Sequence, residues 1–251
     1  MNPKNLLLKI QYDGTMYHGY QFQPSAPTVQ KAVEDALLAI TSEKISINGC
    51  SRTDAGVHAV EYACSFVTES PIPAERFPLV LNAKLPQDIK ALSCSEVPME
   101  FHARFDTITK TYRYIINTQP NPEVFYRNYE WQLKKPLDIF AMNSACRYLI
   151  GEKDFASFMT SGTEVSSTIR HIYSVEAKEE NAKVIIYIRA DGYLYNMVRI
   201  ITGTLVDIGL GKYPPERMED IINSVDRSKA GPTAPPQGLG LFKVEYKEGI
   251  I

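Results

Sequence analysis

Apolar positions along this chain follow two rhythms, and the sequence of rhythms occurs twice. Leu6-Leu7-Leu8-Lys9-Ile10-Gln11-Tyr12 reads as a first strand with an apolar body. Asp13-Gly14-Thr15 is turn-like, and a polar-aromatic loop continues through Tyr17, His18, Tyr20, Phe22 and Pro24. From Thr28 to Ile40, the residues Val29, Ala32, Val33, Ala36, Leu37 and Ile40 recur at the spacing of one helical face. Thr28 is placed to cap that helix, although Lys31 three residues on denies it a capping box. Lys44 to Asn48 and Val60 to Val67 read as strands on either side of a loop. Arg76 to Ala83 predicts a short helix, with Pro78 where only a first turn tolerates it, and Asp88 to Val97 predicts a strand.

The order β-α-β-β-α-β is the ferredoxin-like one, and the second half repeats it. Asp106 to Asn117 is a long strand with Tyr112 and Tyr114 on one face. Lys134-Lys135-Pro136-Leu137-Asp138 leads into a helix ending near Ile150, with Gly151 as its stop. Ile172 to Lys178 and Lys183 to Arg189 read as a hairpin, and Tyr195 to Ile208 as a second helix. Pro215 to Ser224 predicts a small extra helix, and Leu241 to Tyr246 a closing strand. The fold class is therefore α+β, with two tandem ferredoxin-like (RRM-like) domains, residues 1–105 and 106–251. No Gly/Ser-rich linker separates them, so their sheets are expected to join or pack closely around a central cleft.

A chain of 251 residues suits this division, and 44% apolar with 22% charged residues is ordinary for a soluble globular protein. No apolar run approaches the ~18 residues of a membrane helix. The chain enters strand-like sequence by Leu6, which leaves no room for a signal peptide and favours the cytoplasm. Cys50, Cys64, Cys94 and Cys146 form no C-x-x-C pair and no zinc spacing, which fits a reducing compartment. The net charge of −2 gives no support to nucleic-acid binding. Cut near residue 105, the first half carries 9 basic and 11 acidic residues and the second 18 of each. A surface for RNA would have to be a local patch assembled by folding.

The candidate chemistry lies in Gly49-Cys50-Ser51-Arg52-Thr53-Asp54-Ala55-Gly56-Val57-His58-Ala59. A hairpin needs two to about five connecting residues, and this loop has more than closure requires. Taken alone, it could be an Asx-type turn, with Asp54 bonding its own backbone and Gly56 supplying a positive φ. Cys50 with His58 would suit a thiol hydrolase, but nothing in the sequence supplies an orienting third group. Asp54, His58 and His18 would be a loose metal set, of a kind common by chance.

The octapeptide from Arg52 to Ala59 resembles the active-site motif of the TruA family of tRNA pseudouridine synthases, in which the aspartate is the nucleophile. The resemblance runs nearly end to end. Asn82-Ala83-Lys84-Leu85-Pro86-Gln87-Asp88-Ile89 and Phe101-His102-Ala103-Arg104-Phe105-Asp106 are similar to the segments closing the family's first domain. Lys110-Thr111-Tyr112-Arg113-Tyr114 resembles its K-x-Y-R/x-Y strand. Asp154-Phe155-Ala156-Ser157-Phe158 and Thr168-Ile169-Arg170 look like its second-domain loops. Tyr193-Leu194-Tyr195-Asn196-Met197-Val198-Arg199 resembles a helix start, and Gly231-Pro232-Thr233-Ala234-Pro235 with Gly238-Leu239-Gly240-Leu241 the closing motif. This chain departs from the family at Cys50-Ser51, where an Ala-Gly pair is usual, at Tyr20 for Trp, and at Lys153 for His.

The resemblance implies an isomerase that converts uridine to pseudouridine at positions 38–40 of the tRNA anticodon stem-loop, with no cofactor and no metal. Breaking N1–C1′ and rejoining through C5 involves no redox step. It needs a nucleophile, a pocket that keeps the detached base, and an acceptor for the C5 proton. Asp54 would fill the first role, attacking C1′ or C6 or acting by elimination. By resemblance, Arg199 pairs with that carboxylate, Tyr112 stacks on the base and takes part in moving the C5 proton, and Leu239 packs on its other face. Arg52 would stabilise a nucleotide flipped out of its stack, a displacement costing a few kcal/mol. Lys84, Arg104, Lys110, Arg113 and Arg170 are candidate phosphate contacts. A homodimer holding tRNA across both subunits is also implied, with no membrane partner. The rival reading is a non-catalytic RRM-like RNA-binding protein, which would leave the long motif loop unexplained and has no RNP1-type run.

Overall fold

The first apolar run becomes strand β1 (Lys4–Tyr12), in which Leu6, Leu7, Leu8 and Ile10 are buried. The computed structural model describes residues 2–162 and 165–247. These form two compact units: one runs to Ile108 and takes in the chain from Gly240 on, and the other spans Thr109–Leu239.

In the first unit β1 is followed by helix α1 (Val29–Thr41), the two-residue strand β2 (Asn48–Gly49), β3 (His58–Thr68), α2 (Phe77–Asn82) and β4 (Ile89–Val97). Strands β4, β1 and β3 lie side by side with β2 beyond β3, every neighbour antiparallel. Helix α1 buries Val29, Val33, Ala36 and Leu37, the stripe its spacing predicts, and the Thr28 hydroxyl accepts from the Lys31 N–H. Pro78 sits in the first turn of α2, where it removes no helical hydrogen bond. The strand expected over 44–48 is reduced to its last position and Gly49. Ile45 and Ile47 do point inward, but the Ile47 N–H donates to Glu34 Oε1 of α1 at 3.1 Å instead of to a strand partner.

The second unit holds β5 (Thr107–Asn117), β6 (Trp131–Gln132), α3 (Ile139–Cys146), β7 (Gly151–Asp154), β8 (Ile169–Glu180), β9 (Lys183–Ala190), α4 (Met197–Gly209) and α5 (Arg217–Ser224). Its sheet runs β5, β9, β8, β7, all antiparallel, with β6 added in parallel to β5. Tyr112, Tyr114 and Ile116 of β5 share the buried face with Ile188, Ile186 and Val184 of β9, as the alternation predicts. Helix α3 begins at Ile139, directly after the segment expected to lead into it, because the Asp138 side chain accepts from the Ala141 N–H at 2.9 Å and caps it there. Every residue of α4 is buried except Arg199.

The closing strand β10 (Leu239–Tyr246) was expected to belong with residues 106–251. From Gly240 on it packs in the first unit. Gly240 and Leu241 pair in parallel with His58 and Ala59 of β3, and the Tyr246 hydroxyl donates to the Ala103 carbonyl at 2.8 Å. The architecture is α+β with multistranded sheets, and among the described residues no helix is long and apolar enough to cross a membrane.

Candidate active site

The loop between β2 and β3 is fastened at both ends by backbone and held from beneath by tyrosines. The Cys50 N–H donates to the Ala63 carbonyl at 2.9 Å, continuing the β2–β3 pairing. Ser51 then meets the hydroxyl of Tyr62, which donates to the Ser51 carbonyl and accepts from its N–H at 3.3 Å. Thr53 is buried, and its hydroxyl lies 2.8 Å from that of Tyr12. The Thr53 carbonyl accepts from the Tyr20 N–H at 3.1 Å. A turn follows, in which the Val57 N–H donates to the Asp54 carbonyl at 3.2 Å and Gly56 takes φ +75°. The positive φ at Gly56 is the one an Asx-type turn would need.

Three rings support this backbone. Tyr20 stacks on Tyr62 with centroids 4.3 Å apart and planes at 25°, and Tyr12 meets Tyr62 at 5.6 Å. They close up because Gly49 has no side chain: a Cβ there would stand 2.2 Å from the Tyr62 hydroxyl and 2.4 Å from the Tyr20 ring. Burial pushes the Tyr62 hydroxyl well above the usual phenol range, which keeps it a donor. The result is a short run with buried Thr53 between an exposed Arg52 and a half-buried Asp54.

His58 faces the turn after β1. The Gly14 N–H donates to His58 Nδ1 at 3.1 Å, and Asp13 Oδ1 lies 3.1 Å from the same nitrogen. Cys50 is buried, as are the other three thiols, and a thiol out of reach of solvent is a poor nucleophile. Burial pushes Cys94 and Cys146 up to about 12. Among the described residues no group of three His, Cys, Asp or Glu side chains could hold a metal ion.

In the second unit the first turn of α4 presents Arg199. Its Nε donates to the Ala234 carbonyl at 2.8 Å and its Nη1 to Asn196 Oδ1 at 2.6 Å. Asn196 itself takes φ +62° before the helix and donates to the Thr160 hydroxyl at 2.8 Å. The guanidinium is thus fixed in direction by two acceptors on its own unit. Near it, the Tyr114 hydroxyl donates to the Pro235 carbonyl at 2.6 Å; burial raises its pKa, and the Arg199 charge lowers it in part. Tyr112 is buried, its ring edge-on to Tyr193 at 4.9 Å and 86°, and Tyr193 in turn bonds the Lys110 and Ile188 carbonyls. Leu239 is buried at the start of β10.

The five basic candidates divide by exposure. Lys84 and Arg104 are exposed, the latter with its guanidinium 5.8 Å from the Phe105 ring. Arg113 is half-buried, and so is Arg170, whose Nη1 donates to the Ser167 carbonyl at 3.0 Å. Lys110 is buried on β5 instead of standing in solvent. Asn196, Thr53, Tyr12 and Tyr62 escaped the residue-by-residue reading of chemistry. Tyr12 and Tyr62 lie within strands where inward-facing positions are expected, Thr53 and Asn196 lie in a loop and at a helix cap, and nothing in the pattern says that Tyr12 meets a residue 41 positions away.

A sequence model of the tRNA pseudouridine synthases matches residues 9–106 and 145–247. The chain is 46% identical over 243 residues to tRNA pseudouridine synthase A 2 of Clostridium perfringens, covering 97% of this chain and 100% of that protein. It is 49% identical over 243 residues, with the same coverage, to tRNA pseudouridine synthase A of Clostridium acetobutylicum. A solved Cbf5-Nop10-Gar1 complex aligns with 95% of this chain and 59% of its own at 11% identity and a TM-score of 0.34, a likeness too low to carry an argument.

Proposed function

This chain belongs to the tRNA pseudouridine synthase family, and from that premise we propose that Asp54 is its nucleophile, acting without a cofactor on uridines 38–40 of the anticodon stem-loop. The protein is an isomerase that converts uridine to pseudouridine in tRNA.

The reaction breaks the N1–C1′ bond, turns the base and forms C5–C1′, and the C5 proton leaves. A carboxylate can attack C1′ or C6, or assist elimination, and be regenerated in each case. The observation that carries the assignment is the held loop: Asp54 is half-buried, and the residue before it is tied down by side chain and carbonyl. A nucleophile confined in this way gives up little freedom on reaching its reacting geometry. In this reading the guanidinium of Arg199 acts on the Asp54 carboxylate, its other donors being already committed to Asn196 and Ala234. Tyr112 stacks on the base and takes part in moving the C5 proton, and Leu239 covers the other face. Arg52, exposed beside the nucleophile, stabilises the flipped nucleotide, while Lys84, Arg104, Arg113 and Arg170 contact phosphates. Lys110, being buried, contributes by positioning β5 or after local rearrangement.

The same reading includes tandem ferredoxin-like halves, supported in the first unit by the strand order β4-β1-β3-β2, and a cytoplasmic homodimer that binds tRNA across its subunits. Asp54→Asn tests it. We expect no pseudouridine from a preparation free of deamidated protein, with tRNA affinity within about tenfold, or about 1.4 kcal/mol, of wild type. Measurable turnover by that variant would remove Asp54 from the chemistry.

A further inference from the structure

The residues on either side of Arg52 are held by the hydroxyls of two strand tyrosines. Tyr62 of β3 grips both polar atoms of the Ser51 backbone, and Tyr12 of β1 pairs with the Thr53 hydroxyl at 2.8 Å. The Tyr62 ring stacks on Tyr20 in the space that Gly49 leaves, the Tyr12 ring meets Tyr62 at a tilt, and both side chains are buried. Packing of this kind leaves the hydroxyls little room to move, so each acts as a fixed post rather than a flexible tether.

We propose that Tyr62 and Tyr12 are positioning residues for pseudouridine formation: their hydroxyls fix the Ser51 backbone and the Thr53 side chain on either side of Arg52 and thereby aim both Arg52 and Asp54. The proposal rests on the assignment of Asp54 as nucleophile. Its geometric basis is that the chain from Ser51 to Thr53 spans a single residue between two fixed points. With both ends held, the direction of Arg52 outward and of Asp54 from the next position is set by the sheet. Without one post, the loop keeps its backbone bonds at Cys50, Gly56 and Val57, so it stays formed but loses its aim. A displacement of about 1 Å at reacting groups costs on the order of a hundredfold in rate. Uniform binding of tRNA, made over a much larger surface, is not expected to change.

The experiment compares Tyr62→Phe, Tyr12→Phe, Thr53→Val and Thr53→Ser with wild type in single-turnover formation of pseudouridine from a tRNA transcript. Each variant is assayed well below its own Tm, with the Kd for the same tRNA measured alongside. We expect kcat to fall by about ten- to a hundredfold for the two phenylalanine variants and for Thr53→Val, with the Kd within about threefold. Thr53→Ser, which keeps the hydroxyl, should recover most of the rate. Combining Tyr12→Phe with Thr53→Val should slow the enzyme no further than either change alone, because one contact is removed once. A purely structural role predicts lowered Tm values with wild-type kcat, and that result would overturn the proposal, as would a loss confined to tRNA affinity. Should Tyr62→Phe fail to fold, the Tyr12 and Thr53 variants decide. Asp54→Asn run in parallel separates the two ideas. If it turns over, the nucleophile assignment fails. If it is inactive while the tyrosine variants run at wild-type rate, only the positioning role fails.

Discussion

Arg199→Lys keeps the positive charge at the start of α4 and removes the planar fork, so it isolates geometry from charge. In the native chain Nε reaches the Ala234 carbonyl at 2.8 Å while Nη1 reaches Asn196 Oδ1 at 2.6 Å. A single ammonium cannot meet two acceptors disposed around a guanidinium plane and still present a donor elsewhere. Losing one charge-assisted hydrogen bond costs about 1.5–3 kcal/mol of stability. For a chain of this size each kcal/mol lowers Tm by about 2–4 °C, so the expected loss is about 3–12 °C. The effect on turnover should be larger in proportion. A preorganised donor aimed at a reacting group is worth about 10²–10³ in kcat, or about 2.7–4 kcal/mol. The assay is release of tritium from tRNA labelled at C5 of uridine, since each pseudouridine formed expels one C5 proton. It is run with enzyme in excess and at a temperature where circular dichroism shows the variant folded, with tRNA affinity measured by filter binding. A folded Arg199→Lys variant within about threefold of the wild-type rate would refute the argument and return Arg199 to a structural role at the junction of α4 with Ala234.

Binding of tRNA should weaken steeply with salt despite the net charge of −2, and Lys84→Ala and Arg104→Ala should each lower the slope of log K against log salt by about one unit; a flat dependence would mean recognition by shape and stacking. Cys50→Ala should retain most activity, and native protein should resist iodoacetamide at pH 8, because all four thiols are buried and those of Cys94 and Cys146 are pushed up to about 12; peptide mass spectrometry of alkylated protein checks this. Gly203→Ala should destabilise strongly, by about 3 kcal/mol or more as read from denaturant midpoints, since its Cβ would lie 1.8 Å from the Pro232 carbonyl oxygen and neither backbone can yield; a variant as stable as wild type would refute that reading.

The helices and long strands were legible because each carries a full period of apolar positions. The stripe of α1, the Thr28 cap, the tolerated Pro78 and the shared face of Tyr112 and Tyr114 all followed from spacing. What escaped was decided by side chains reaching across the fold. Ile45 and Ile47 alternate as a strand should, yet Glu34 takes the N–H of Ile47 and the ladder never extends. Strands β6 and β7, with two and four residues, are too short to show a period. The motif loop stood out by composition and by family resemblance, which supplied the roles. Its supports did not stand out, because Tyr12 and Tyr62 lie within strands and Tyr20 within a polar-aromatic loop, and only folding stacks Tyr20 on Tyr62 beside Gly49 and sets Tyr12 against Tyr62. Asn196 was likewise visible only as part of a helix start, and its grip on Arg199 depends on the φ of +62° it adopts there.

The pairing of β10 with β3 has a consequence for the order in which the protein can be made. His58 and Ala59, where the motif loop enters β3, acquire their neighbours Gly240 and Leu241 only when nearly the whole chain has left the ribosome. Until then the strand that carries the loop is an unpaired edge at its loop-bearing end, and edges of that kind recruit other chains. Closing a contact so distant in sequence is also entropically slow compared with the local hairpins and helices around it. The unit that begins synthesis first is therefore the one whose sheet is completed by residues from Gly240 on. A nascent or truncated chain lacking the last dozen residues would hold Asp54 on an unfinished scaffold.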